Sequence, residues 1–301
     1  MESLITWASE NWEYLALLAT YIVIGVPAAV HAILSRRDVR SSIAWMGLIW
    51  LTPIVGALLY AIFGVNRIER LALRLREDLP QPQTPHAAAE TTQKAIWQIH
   101  ETGHGHLSTL EQLVRSLTKK PLHGGNVIEP LSGGDEAYPA MLEAIEQATC
   151  SVTLATYIFD NDDAGGMFVA ALERAQSRGV EVRVLVDAVG ARYSWPTIVS
   201  VLHKKEIPVA KFLSALSPTM IRFFNLRNHR KILVVDGRIG FTGGMNIRAC
   251  CMASQGSEHN TNDMHFCIRG PAVSDLQHAF AVDWGFATRE LLEGPDWFPK
   301  I

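Results

Sequence analysis

Asn228-His229-Arg230-Lys231-Ile232-Leu233-Val234-Val235-Asp236-Gly237 is the stretch that decides the fold of this 301-residue chain. Ile232 to Val235 is an unbroken aliphatic run with the signature of a buried strand. Asp236-Gly237 follows as a hairpin turn, because these two residue types accept the backbone angles of a tight two-residue connection. Ile239 to Thr242 supplies the returning strand. Side chains alternate along an extended backbone, so His229 and Lys231 project to one face and present an imidazole beside an ammonium. After the hairpin, Gly243 and Gly244 let the chain pass close to a ligand with no Cβ in the way, and Asn246 offers an amide donor. The whole spells H-x-K-x4-D-x6-G-G-x-N.

These residue types suit a phosphodiester. Its negative charge repels nucleophiles, so a site must neutralise the nonbridging oxygens before attack at phosphorus becomes feasible. Lys231 and Asn246 are placed to do that without a metal. An imidazole is a neutral nucleophile near pH 7, which makes His229 the candidate for a covalent phospho-enzyme. The alternative reading is an exposed edge pair followed by glycines that only turn a hairpin.

Outward from this segment, strands and helices alternate. Tyr138 to Ala148 has helical periodicity, Ser151 to Phe159 is β-rich, Gly165 to Ser177 is helical and Val180 to Asp187 alternates like a strand. Pro196 to Lys205 reads as a helix, Ile207 to Phe212 as a strand and Ala272 to Leu292 as a closing helix. The pattern predicts an α/β domain with helices over a sheet.

Toward the N-terminus the character changes. Tyr14 to Leu34 and Ser42 to Phe63 are apolar runs close to the roughly 20 residues that span a bilayer, joined by the short link Ser35 to Ser41. They predict a two-helix transmembrane hairpin, with Pro27 and Pro53 tolerated as kinks. Glu2, Glu10 and Glu13, with no Lys or Arg before the first run, argue against a cleaved signal peptide. Arg36, Arg37 and Arg40 in the link nearly balance Arg67, Arg70, Arg74 and Arg76 after the second run, so charge leaves the membrane face of the soluble part open. Residues 66–78 carry Ile68, Leu71 and Leu75 at helical spacing, fitting either a lipid-surface helix or a solvated one. From Leu79 to Pro121 the chain reads as a polar connector. His100, His104 and His106 there lack the partners that would complete a metal site, and no metal or other cofactor is expected.

Composition adds exclusions. Charged residues make up 19% and the net charge is -3, which does not recommend a nucleic-acid partner. Cys150, Cys250, Cys251 and Cys267 fit neither a zinc site nor a disulfide framework and read as free thiols.

With these blocks in view, the sequence resembles the phospholipase D superfamily and, within it, the bacterial cardiolipin synthases. The resemblance runs from the apolar hairpin through Tyr157-Ile158-Phe159-Asp160-Asn161-Asp162, Arg178 to Asp187, Asn228 to Lys231 and Gly243-Gly244-Met245-Asn246 to Gly270-Pro271-Ala272-Val273. It implies a transmembrane hairpin over residues 1–65, a juxtamembrane helix and linker over 66–121, and one phospholipase D-like α-β-α sandwich half over 122–301. It also implies metal-independent phosphatidyl transfer between two phosphatidylglycerols, giving cardiolipin and glycerol, in a multi-pass protein of the bacterial inner membrane. By position, His229 would be nucleophile or general acid, Lys231 and Asn246 phosphate ligands, and Asp236 a support for the site. Asp263 and His265 fall where the family has an acidic residue and a histidine. Such synthases carry two H-x-K-x4-D motifs, and this sequence has one. The resemblance therefore implies a homodimer or a second half-domain that brings another histidine. A hydrolase of the same chemistry, and a non-catalytic remnant or partner subunit, are the competing readings.

Overall fold

The computed structural model describes residues 7, 11–35, 39–64, 105–118, 120, 122–213, 227–255 and 260–300. The chain folds as two compact units, residues 1–75 with 221–225, and residues 76–220 with 226–301.

In the first unit, helix α1 (Trp12–Leu34) is long and apolar enough to cross a bilayer. Its turn at Tyr21–Gly25 widens to π geometry just ahead of Pro27. That is the expected accommodation, since proline lacks an N–H and its ring crowds the carbonyl four residues back. The second apolar run differs from the single span anticipated for it. It forms α2 (Val39–Leu51) and α3 (Pro53–Leu59), interrupted at Thr52, whose φ of -141° and ψ of 80° are not helical. Pro53 starts the new helix, the position where its missing N–H costs least. The described residues thus contain one helix of spanning length and a second apolar run interrupted at Thr52. The two runs still pack together. Ala29, Ala32, Ile49 and Tyr60 form a small core, and His31 Nδ1 lies 2.8 Å from the Tyr60 hydroxyl. The middle of the link and the stretch 66–78 lie outside the described residues, as do His100 and His104.

The second unit is a seven-stranded mixed sheet. Its strands are β1 (Val127–Ser132), β2 (Ser151–Thr156), β3 (Glu181–Asp187), β4 (Val209–Phe212), β5 (Ile232–Val235), β6 (Ile239–Gly243) and β7 (Met264–Arg269), in the order β1-β7-β6-β5-β2-β3-β4. β2, β3 and β4 are parallel, and the other pairings are antiparallel. Helices α5 (Gly133–Glu146), α6 (Asp163–Ser177) and α7 (Ile198–Lys204) cover one face, where Val152, Leu154, Val184, Leu233 and Phe241 join the larger core. Helix α8 (Val273–Thr288) covers the other, burying Ala155, Ile232, Val234, Phe280 and Trp284. Residues alternate between the two cores along the central strands β2, β3 and β5, as a sheet covered on both sides requires.

Local chemistry sets the element ends. Asp162 caps α6 by accepting from Gly165 N at 2.9 Å, and Asp236 and Gly237 turn the β5–β6 hairpin with φ of 51° and 61°. One stretch read as connector is helical. In α4 (Ser108–Thr118), Leu110, Leu113, Val114 and Leu117 recur at helical spacing and all are exposed. The prolines and glycines upstream masked that period in the sequence.

Candidate active site

The parallel strands β2 and β3 end side by side, Thr156 beside Val186, and β5 begins beside them because it runs the opposite way. The first residues past β2 and β3 and the last before β5 therefore meet at one end of the sheet, where open α/β sheets place their ligand sites.

His229 and Lys231 stand here together. The Lys231 Nζ lies 3.2 Å from His229 Nδ1 and donates to the His229 carbonyl at 3.0 Å. The Tyr157 ring supports both: its centroid is 4.8 Å from that of the imidazole, and the ammonium sits over its face at 5.6 Å. His229 is exposed while Lys231 is only 5% exposed. Burial pushes the Lys231 ammonium below the ordinary lysine range, and the Asp263 carboxylate partly restores it.

Gly243 and Gly244 are needed for a reason other than the expected ligand approach. A Cβ on Gly243 would lie 2.7 Å from the Cα and Nδ1 of His265, its partner in the β6–β7 register, and one on Gly244 would lie 2.6 Å from the Asp263 carboxyl carbon. The space over both glycines is filled by the start of β7 and by Asp263 just before it. Asp263 and His265, the less prominent pair in the sequence, are thereby brought against β6 beside the site. Asn246 Oδ1 accepts from Ile158 N at 3.1 Å, which pins the Tyr157 segment and leaves the amide NH2 as its remaining donor.

Asp236 is not at the site. It lies past the far end of β5, about 16 Å from Lys231 at about 3.3 Å per residue. Its carboxylate accepts from the backbone N–H of Thr149, Cys150 and Ser151 at 2.9, 2.7 and 2.9 Å. Burial opposes its charge, but these amides hold its pKa below the usual carboxylate range. Its work is to stitch the hairpin turn to the start of β2, a correction to its expected place among the catalytic groups.

Five side chains to which the sequence reading gave no role hold the site. Asp187, 1% exposed, accepts from Val189 N at 2.9 Å and from Asn228 N at 3.1 Å. Asn228 donates from Nδ2 to Asp283 on α8 at 2.9 Å, and Arg230 pairs with the same carboxylate. These contacts fix the backbone on both sides of His229, and Tyr157 sets its ring. All but Asp283 lie in the segments that carry the family resemblance, and Asp187 also closes a strand pattern.

His265 is 2% exposed, and its Nδ1 has no hydrogen-bond partner. Burial lowers its pKa to about 4, with Lys231 adding to the effect and Asp263 opposing it. The unfolded chain takes up this proton near pH 6.5, so stability contributed by the neutral ring is complete above that pH and is lost as the pH falls toward 4. The loss amounts to about 3 kcal/mol. Urea unfolding of wild type and His265→Gln is expected to show their stability difference shrinking between pH 7 and pH 4.5. A difference that stays constant with pH refutes the assignment.

Comparison with known proteins agrees with this geometry. Residues 141–284 match the family described as cardiolipin synthase, PLD-like domain, and residues 23–64 match phospholipase D-nuclease N-terminal. Residues 141–284 carry the phospholipase D-like domain of the cardiolipin synthases. Over 289 residues it is 32% identical to cardiolipin synthase A of Pseudomonas fluorescens, covering 94% of this chain and 59% of that one. Over 291 residues it is 34% identical to cardiolipin synthase A of Pseudomonas aeruginosa, covering 94% and 58%. The chain thus spans a little under three fifths of the length of these curated relatives. Among solved structures, Nuc of Salmonella typhimurium, a phospholipase D family member, aligns with a TM-score of 0.42 and 17% identity over 56% of this chain and 100% of that one. The matched range takes in strands β2 to β7 and most of the helices that cover them, with His229 and Lys231 inside it.

Proposed function

We propose that this chain is a membrane-bound phosphatidyltransferase that makes cardiolipin from two phosphatidylglycerols through a phosphohistidine at His229. One observation carries the proposal: an exposed imidazole stands 3.2 Å from a buried ammonium, both set on an aromatic ring. The names of the relatives support the substrate class.

Lys231 and the Asn246 NH2 hold the nonbridging oxygens. A ring nitrogen of His229 attacks phosphorus, a P–N bond forms, and the P–O bond to the headgroup glycerol breaks. A second imidazole protonates the departing glycerol alkoxide. That imidazole then removes the proton from a hydroxyl of the second phosphatidylglycerol, whose oxygen attacks phosphorus and frees His229. Twofold pairing of two chains, or a docked second half-domain, supplies the second imidazole. In this arrangement residues 1–65 form the multi-pass anchor in the inner membrane, 66–121 the juxtamembrane connector and 122–301 the catalytic half. Asp263 and His265 back the Lys231 ammonium from β7, and Gly243 and Gly244 make room for them.

The test uses the full chain in phosphatidylglycerol vesicles carrying phosphorus-labelled lipid. Alkali-stable, acid-labile label on the peptide containing His229, together with labelled cardiolipin, is the expected result. Label released only as phosphatidic acid replaces transfer with hydrolysis. No labelled peptide and no product at densities that allow pairing refutes catalysis by this chain.

A further inference from the structure

Between β3 and α7 the chain presents Trp195 at 92% exposure, more than any other large apolar side chain among the described residues. Arg192, Tyr193 and Pro196 beside it are exposed as well. The segment is firmly anchored. Asn161 donates from its backbone N to Ser194 Oγ at 2.8 Å and from Nδ2 to the Pro196 carbonyl at 3.1 Å. The Arg248 guanidinium lies 5.6 Å from the centre of the Tyr193 ring. A side chain this apolar, held out in water by a braced loop, has no folding role there.

The bracing leads directly to the site. Asp187, which accepts from Asn228 N, also accepts from Val189 N and Gly190 N at 2.9 and 3.4 Å. Gly190 lies so close to Tyr157 that a Cβ would come within 2.6 Å of that residue's carbonyl carbon. Tyr157 in turn packs on His229. Loop and site therefore move as one body.

We infer that residues 189–196 form an interfacial foot: Trp195 enters the headgroup region of a phospholipid bilayer and sets the open face of His229 against lipid phosphates. Tryptophan and tyrosine favour the boundary between headgroups and acyl chains, and Arg192 adds attraction for anionic lipid. A bilayer is the occupant that fits. A stable protein partner needs about 800 Å² per side, whereas one tryptophan offers about 150–250 Å². The same chain also carries a bilayer-length apolar helix. The inference deepens the transferase reading, but its test requires no turnover.

The experiment places an environment-sensitive fluorophore at Trp195→Cys in the full chain, with Cys150→Ser and Cys250→Ser, reconstituted into equimolar phosphatidylglycerol and phosphatidylcholine vesicles. Lys205→Cys, exposed at the end of α7, is the control. Both labels replace exposed side chains, and melting curves matching wild type secure the fold. The label at 195 is expected to shift to the blue and to be quenched several-fold more than the control by headgroup-level spin-labelled lipid, with iodide quenching reduced. Iodide quenching equal to the control overturns the inference. Shielding from both quenchers also overturns it, because protein then covers the loop. A chain that inserts Trp195 but makes no cardiolipin keeps this inference and loses the transferase reading.

Discussion

His229→Ala is expected to lower cardiolipin formation on the order of 10⁴-fold or more, to background, with little change in melting temperature. The two halves of this expectation have separate causes. Activity falls because, among the described residues, His229 is the exposed imidazole at the site while His265 is buried, and Lys231 cannot replace it while it remains an ammonium. Stability is retained because the ring is exposed and its removal empties no core volume. The Lys231 ammonium also keeps its bond to the residue 229 carbonyl, which alanine preserves. The measurement is cardiolipin formation in phosphatidylglycerol vesicles alongside a thermal melt. A variant that keeps a tenth of wild-type activity removes His229 as nucleophile. One that loses activity only because it unfolds contradicts the exposed placement of the ring.

The largest stability effect is expected at Asp187. Its carboxylate takes the amides of Val189, Gly190 and Asn228, and the Arg227 guanidinium lies 3.6 Å away. Asp187→Ala strips one acceptor from three amides and one opposite charge from a guanidinium in a place that water does not reach. Mutational precedent for such losses suggests a cost of about 3–5 kcal/mol, readable by urea unfolding. Because Asp187 fixes both the His229 segment and the start of the 189–196 loop, the fraction that still folds should also show a lower kcat. Asp187→Asn keeps an acceptor oxygen but not the charge, so it should recover part of both losses. A cost below about 1 kcal/mol for the alanine variant would show that these amides find other partners.

Much of the site was legible in the primary structure because it rests on local rules. The aliphatic run Ile232 to Val235, the Asp236-Gly237 turn and the period-two placement of His229 and Lys231 need only neighbouring residues to define them, and the strands and helices from residue 138 to 212 follow from periodicity. The local reading gave Asp236 its turn, and it was the resemblance that put it at the site, since its place in the motif says nothing of which end of the strand meets the ligand. The kink allowed at Pro53 takes the form of a break at Thr52, with Pro53 opening a new helix.

The one-dimensional chain alone placed a histidine–lysine pair on a strand–turn–strand unit within an α/β domain preceded by apolar helices. Only the tertiary structure decided what surrounds that pair. The β6–β7 register sets His265 opposite Gly243 and gives both glycines their purpose. The meeting of β2, β3 and β5 at one end of the sheet puts Tyr157 under the imidazole and Asp187 behind Asn228, while α8 brings in Asp283. Contacts between segments far apart in the chain depend on register and packing. No local periodicity encodes them, so a reading residue by residue finds the reactive groups and misses the frame that orients them.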